Sequence, residues 1–397
     1  MSELRSTRTE QRRWMKVAQV RDADAHAAGR RATQEALIAP DARLLLVFVS
    51  PALDAGRVLT GIREVADADI PLVGCSTHGE IFPGGPADGS VVVAALGGEG
   101  FSVRTAVARD VARRQRAAGE EVAQAMHEDP ERPHRVLVTL TDGLLRDQEE
   151  ILRGIYGVLG ASVPLFGGAA ADGWQMAGCQ QLHGSEVLSG AVVSAAIVSD
   201  APIGLGIRHG WQPSGEPMVV TRAGDGRVYQ LDDKPALDVY LNQLDAGPEA
   251  YQDPAAFTAF ALPRPVGIQR RSGIELRNLS TEPDIEGRSI GGGASISEGG
   301  LIWAMDGGLD SILQASGDAC TEAVEGLHGR SPTGLLTFSC AALRAVVGDE
   351  GIKREGEVFA TKAAGVPFCG FYTYGEIART RGIDGFHNQT VVALALA

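Results

Sequence analysis

Ile70-Pro71-Leu72-Val73-Gly74-Cys75-Ser76-Thr77-His78-Gly79-Glu80-Ile81 returns, far down the chain, as Val366-Pro367-Phe368-Cys369-Gly370-Phe371-Tyr372-Thr373-Tyr374-Gly375-Glu376-Ile377. Pro, Gly, Thr, Gly, Glu and Ile coincide. Each copy follows a short apolar run and a helix-like connection, and each leads through a loop into another apolar run, 91–96 or 390–396. A degenerate third copy, Val163-Pro164-Leu165-Phe166-Gly167-Gly168, keeps the Pro and a Gly, loses the Glu, and stands between the runs 136–140 and 191–198. Such self-similarity is the mark of a duplicated supersecondary unit. It predicts an α/β protein of repeated strand–helix–strand–strand units, with mixed sheets and internal pseudo-symmetry.

Working outward, β-branched runs at 44–49, 91–96, 136–140, 191–198, 335–338 and 390–396 read as buried strands. Ile151, Leu152, Ile155, Val158 and Leu159 share a helical face behind the acidic turn Asp147, Glu149 and Glu150. Leu309, Ile312, Leu313, Cys320, Ala323, Val324 and Leu327 repeat that pattern, and alanine-rich 22–38 supplies a third helix. A chain of 397 residues exceeds one ordinary core, so two domains are expected. Proline, aspartate and alanine crowd 232–263, with a short helix expected at 236–244. The boundary is placed near residue 235, giving domains 1–235 (core from about residue 40) and 236–397.

Hydrophobic residues at 44% and charged residues at 22% describe a folded chain. Glycine, at 51 residues, is nearly twice as frequent as the usual ~7%. The net charge of −14 repels phosphate backbones, so no nucleic-acid partner is expected. Arg113, Arg114 and Arg116 read as a salt-bridged helix face beside Glu120 and Glu121. Arg5, Arg8, Arg12, Arg13 and Lys16 read as a solvated terminus rather than a targeting segment. Five scattered cysteines without a C-x-x-C pair suit reduced thiols in the cytoplasm. No apolar run approaches the ~20 residues of a membrane helix.

In an extended strand, Ser76, His78 and Glu80 would line one face, as would Tyr372, Tyr374 and Glu376. Such a row can receive an amine, a hydroxyl or a metal, or it can satisfy neighbouring backbone. Ser339-Cys340, Arg344 and His387-Asn388-Gln389-Thr390 add chemistry, with Arg344 a candidate partner of Glu376. No catalytic or metal constellation emerges: no G-x-S-x-G elbow forms around Ser76, and H-E-x-x-H and a cysteine cluster are missing. Gly204-Leu205-Gly206-Ile207-Arg208-His209-Gly210 has the wrong spacing for a dinucleotide loop. Gly291-Gly292-Gly293 lacks the ending of a phosphate loop.

The late segment Gly370–Ile377, with Ser339-Cys340 before it and His387-Asn388-Gln389-Thr390 after it, resembles the signature of the FIST family. Gly74–Ile81 is similar to the matching motif of that family's N-terminal domain. Three residues separate Cys340 from Arg344, where the family often has two. The resemblance implies an intracellular sensory protein that binds a small ligand, an amino acid or related metabolite; no cofactor is expected. It further implies signalling partners, and a separate protein such as a histidine kinase or a cyclic-dinucleotide enzyme is the partner expected here. The expected ligand-binding residues are Tyr372, Thr373, Glu376, His387, Asn388, Arg344 and Cys340, with Ser76, His78 and Glu80 from the first copy. Two other readings stay open. One is a haem-binding nitric oxide sensor using His78, His183, His209 or His387. The other is a cysteine-dependent enzyme using Cys340 or Cys75.

Overall fold

The computed structural model describes residues 12–85, 88–224, 226–270, 273–279, 283–291, 296–379 and 385–397. Arg5 and Arg8 of the basic start, and Gly292 and Gly293, lie outside these. Arg12 and Arg13 both pair with Asp200, and Arg13 also reaches the Ala397 carbonyl.

Three times, the run that precedes a motif copy pairs in parallel with the motif strand. Ala42–Val49 runs beside Leu72–Ser76, His134–Asp142 beside Leu165–Ala170, and Gly334–Cys340 beside Phe368–Thr373. An antiparallel return strand flanks each pair: Ser90–Gly97, Val192–Ser199 and Val391–Leu396. Outside it lies an edge strand, respectively Trp14–Arg21, Phe101–Ala108 or Ile203–Arg208. The far edge of each sheet is completed by a short strand from another unit. Glu80–Ile81 crosses to Phe368–Thr373, Gln181–His183 to Leu72–Ser76, and Glu376–Arg379 to Leu165–Ala170. The first unit therefore lends to the third, the second to the first, and the third to the second. The repeat is one of connectivity and register. Two of these three sheets hold strands from both sides of residue 235.

The repeated glycine has a steric cause. A Cβ at Gly74, Gly167 or Gly370 would collide with the carbonyl of Val47, Thr139 or Thr337 on the parallel neighbour. Helix pairs Ala25–Ala36 with Ala55–Arg63, and Gln115–Ala123 with Gln148–Leu159, cross over glycines in the same way, at Gly29 and Gly61, then Gly119 and Gly154. Much of the glycine excess thus serves close backbone approach. Where the sheets meet, Phe48, Phe166, Phe338 and Phe371 form one aromatic cluster, with ring centroids 4.5–5.5 Å apart along its contacts. All five cysteines are free and buried. No helix among the described residues is long and apolar enough to cross a membrane.

The third unit is interrupted. Between Ile203–Arg208 and the helix Leu309–Glu325, a fourth, wholly antiparallel sheet is inserted, built on Gln212–Gly224 and Leu301–Asp306 with Val266–Arg270 and Gly273–Arg277. Helices Ala236–Gln243 and Pro254–Ala261 close its own core around Tyr240 and Phe257.

Candidate functional site

The motif glutamates follow directly from the strand exchange. The chain leaves its own sheet after Ser76, turns through Gly79 at φ 111°, and enters another sheet at Glu80. Ser76, His78 and Glu80 therefore do not share one strand face, and neither do Tyr372, Tyr374 and Glu376, because the strand Phe368–Thr373 ends between them. Glu80 is fully buried and accepts hydrogen bonds from the Thr77 and Ser90 hydroxyls. Glu376 is equally buried, and its Oε2 accepts from the Thr390 amide at 3.1 Å and hydroxyl at 2.8 Å. Its Oε1 has no hydrogen-bond partner among the described residues.

The second unit fills the same place with Gln181. Gln181 pairs with Cys75, as Glu80 does with Phe371 and Glu376 with Gly168, and its Oε1 accepts from the Ala191 amide at 3.2 Å. All three side chains therefore hold the start of a return strand. Burial raises both glutamates to a pKa of about 8, against the hydroxyl hydrogen bonds that favour the ionised form.

Around this framework, cavities lie at each boundary between units. One of about 240 Å³ lies between the first and second units, lined by Ser76, Asp54, Asp172 and Gln180. A cleft of about 600 Å³ lies between the first and third, lined by Ser50, His78, Asp88, Arg344, Asp349 and Trp174. There Arg344 grips both oxygens of Asp88 at 2.7–2.8 Å and donates to the His78 carbonyl, so its partner is Asp88 and not Glu376. His78 is pushed down to about 4, by burial first and then by Arg344, which keeps the ring neutral.

The third cavity, about 380 Å³, lies between the second and third units and is the most chemically mixed. Leu144, Leu145, Trp174, Met176 and Phe386 make apolar walls, while Arg146, Gln148, Thr373, Tyr374, Asn278 and Asn388 supply polar groups. No described Asp or Glu lines it. Leu262 and Asn278 arrive from the inserted sheet region and form a roof. Tyr374 donates to Asp172 at 2.8 Å, accepts from the Trp174 amide at 2.6 Å, and stacks on the Trp174 ring at 4.9 Å. Trp174, 41% exposed and at φ 65°, separates this cavity from the larger cleft. Cys340 lines the floor, and burial followed by the neighbouring Glu376 raises its thiol well above the usual range.

Of the expected residues, Thr373, Asn388 and Cys340 thus converge on the roofed cavity, Arg344 and His78 on the cleft, and Ser76 on the smallest space. Tyr372 and Glu376 sit in the core behind, Tyr372 donating to buried Glu355 at 2.7 Å. His387 uses Nε2 on the Ala378 carbonyl at 2.9 Å, and Glu80 lines none of the three cavities. Trp174, Met176, Leu262 and Asn278 were not legible as site residues, since each stands outside the two strong motif copies. The spaces match a haem poorly: no histidine lines the roofed cavity, and the cleft holding His78 sets charged Asp88, Asp349 and Arg344 among Pro51, Ala52, Ala345 and Trp174, where a haem takes a largely apolar pocket. No cluster of metal-binding side chains occurs among the described residues.

Sequence comparison decides the family. The FIST N domain model matches residues 43–234, and the FIST C domain model matches 236–379. This chain belongs to the FIST family. FIST domains are sensory domains that bind small ligands. Among solved structures, a chorismatase crystal structure is similar at 9% identity, covering 97% of this chain and 98% of that one, with a TM-score of 0.37. No curated protein matches this FIST chain in sequence.

Proposed function

We propose that this FIST protein is a cytoplasmic sensor whose ligand, an amino acid or related metabolite, binds in the 380 Å³ cavity between the second and third units. One observation carries the reading: apolar walls, neutral hydrogen-bonding groups and the Arg146 cation converge on a single roofed space, as small organic ligands require. Asn388 and Asn278 offer hydrogen-bonding amides, and Trp174, Tyr374 and Phe386 offer flat apolar surface. Thr373 and Cys340 close the floor. Tyr372, Glu376 and His387 act behind them by holding the lining in place, while Arg344, His78, Ser76 and Glu80 serve the other boundaries between units. A thiol held protonated, as at Cys340, lines a site and is a poor nucleophile. The two domains divided near residue 235 supply opposite walls, so occupancy reaches a separate signalling partner, a histidine kinase or cyclic-dinucleotide enzyme, through their packing.

The test is a thermal-shift and calorimetric panel of the protein amino acids and their 2-oxo and 2-hydroxy acid counterparts. At a hundredfold excess over Kd a ligand stabilises by about 2.7 kcal/mol. One or more members should raise Tm, and Asn388→Ala should abolish that rise while leaving the unliganded Tm within about 2 °C, as for a lining substitution away from the core. A panel without a single binder, or an Asn388→Ala protein that binds as well as the parent, would sink the assignment.

A further inference from the structure

Just ahead of each return strand, one residue holds the same unusual backbone conformation in all three units. It is Gly89 at φ 75°, Gly190 at φ 61°, and in the third unit Gln389 at φ 59°. Glycine adopts this left-handed region freely, whereas a residue with a Cβ does so under strain. Each follows the same local logic. The Gly89 amide donates to the Ser50 hydroxyl at 3.0 Å, and the Gly190 amide to Asp142 at 3.0 Å, where Ser50 and Asp142 stand at the ends of the corresponding strands. Cys340 ends the third such strand. The turn itself therefore asks only for glycine, and the third unit departs from it.

What the glutamine adds is reach. Gln389 is completely buried, and its Nε2 donates to the Leu262 carbonyl at 2.7 Å. Leu262 caps the helix Pro254–Ala261 and forms part of the cavity roof. The Gln389 Oε1 has no partner among the described residues, so the side chain is held there for its donor alone. A second tie lies beside it, where the Asn278 amide meets the Asn388 Oδ1 at 3.5 Å. Arg277, 2% exposed, ties the inserted sheet to the second unit instead, reaching Glu149 at 2.9 Å while Glu275 of its own strand holds it at 2.7 Å.

We propose that Gln389 is a positioning residue that latches the inserted region onto the third unit and so holds the roof of the ligand cavity. This deepens the sensory reading, since it assigns control of access to the same cavity. The structure also provides a reporter that needs no ligand. Cys340 lines this cavity, whereas Cys369 is buried in the core on the same sheet.

The experiment measures iodoacetamide modification of Cys340 and Cys369, peptide by peptide, in the full-length protein and in Gln389→Gly and Gln389→Asn. Both replacements tolerate the left-handed turn and neither reaches Leu262, so relief of strain opposes loss of the hydrogen bond. Cys340 labelling should accelerate on the order of tenfold in both variants while Cys369 labelling does not change, as local opening without global unfolding requires. An unchanged Cys340 rate, or parallel acceleration of Cys369, overturns the latch. The assay uses no metabolite, so the latch can stand if the ligand panel fails, and can fail if the panel succeeds.

Discussion

The first and third motif copies share a backbone and a register, yet one borders an open cleft and the other a roofed cavity. Around the first copy, Glu80 has both oxygens bonded, glycine makes the turn, and Arg344 with Asp88 ties the units at the surface. Around the third, Glu376 has one oxygen bonded, Gln389 makes the turn, and inserted residues cover the space. The contrast separates two roles that one motif can carry. Its glycines and glutamate build the strand exchange in either copy, while the residues that vary around it decide what lines and covers the resulting space.

The comparison can be broken most sharply at the glutamates. Glu80→Ala leaves the Thr77 and Ser90 hydroxyls without their acceptor in a buried site and should destabilise by about 3 kcal/mol. Glu376→Ala also strands two donors, the Thr390 amide and hydroxyl, but removes an unbonded Oε1 from the core, so it should cost less, about 2 kcal/mol. Urea midpoints would check this, and equal losses would show that the two carboxyls are held alike.

A second expectation concerns pH. Both carboxyls have folded pKa values of about 8, above the ordinary value of 4.5 for an unfolded glutamate. The unfolded chain therefore releases these protons first as pH rises. Their stabilising contribution is complete below about pH 4.5 and is lost progressively up to about pH 8. Each group contributes a slope on the order of 1 kcal/mol per pH unit in that window. Glu80→Gln with Glu376→Gln should flatten the fall measured by urea unfolding at pH 5, 6.5 and 8. His78 has the opposite sign: held down at about 4, it withdraws stability as pH falls from 6.5 toward that value.

The smallest expected effect lies at the wall between the two spaces. Tyr374→Phe removes the bonds to Asp172 and to the Trp174 amide, with an expected loss of about 1 kcal/mol. It should raise acrylamide quenching of Trp174 fluorescence, and no change in quenching would show that stacking alone fixes the indole.

Sequence by itself determined the repeating unit, because strand, glycine and motif glutamate answer to local sterics and register, and these recur wherever the unit recurs. The apolar runs around 44–49, 136–140 and 335–338 all became first strands, and the expected helices appeared at Ala25–Ala36, Gln148–Leu159, Ala236–Gln243 and Leu309–Glu325. The helix Ala341–Ala363 offered no clean stripe, since Gly348 breaks it at φ 67°. Gln181 was invisible as the third counterpart of the glutamates, because a longer loop separates it from its motif and only the sheet returns it to register. The roofed cavity was likewise decided by tertiary structure alone. Thr373 and Asn388 could be chosen from the motif, but Trp174, Leu262 and Asn278 come from a second unit and an insertion. Local rules fix how each unit turns. Which units meet, and what covers the gap between them, depends on contacts between residues far apart in the chain.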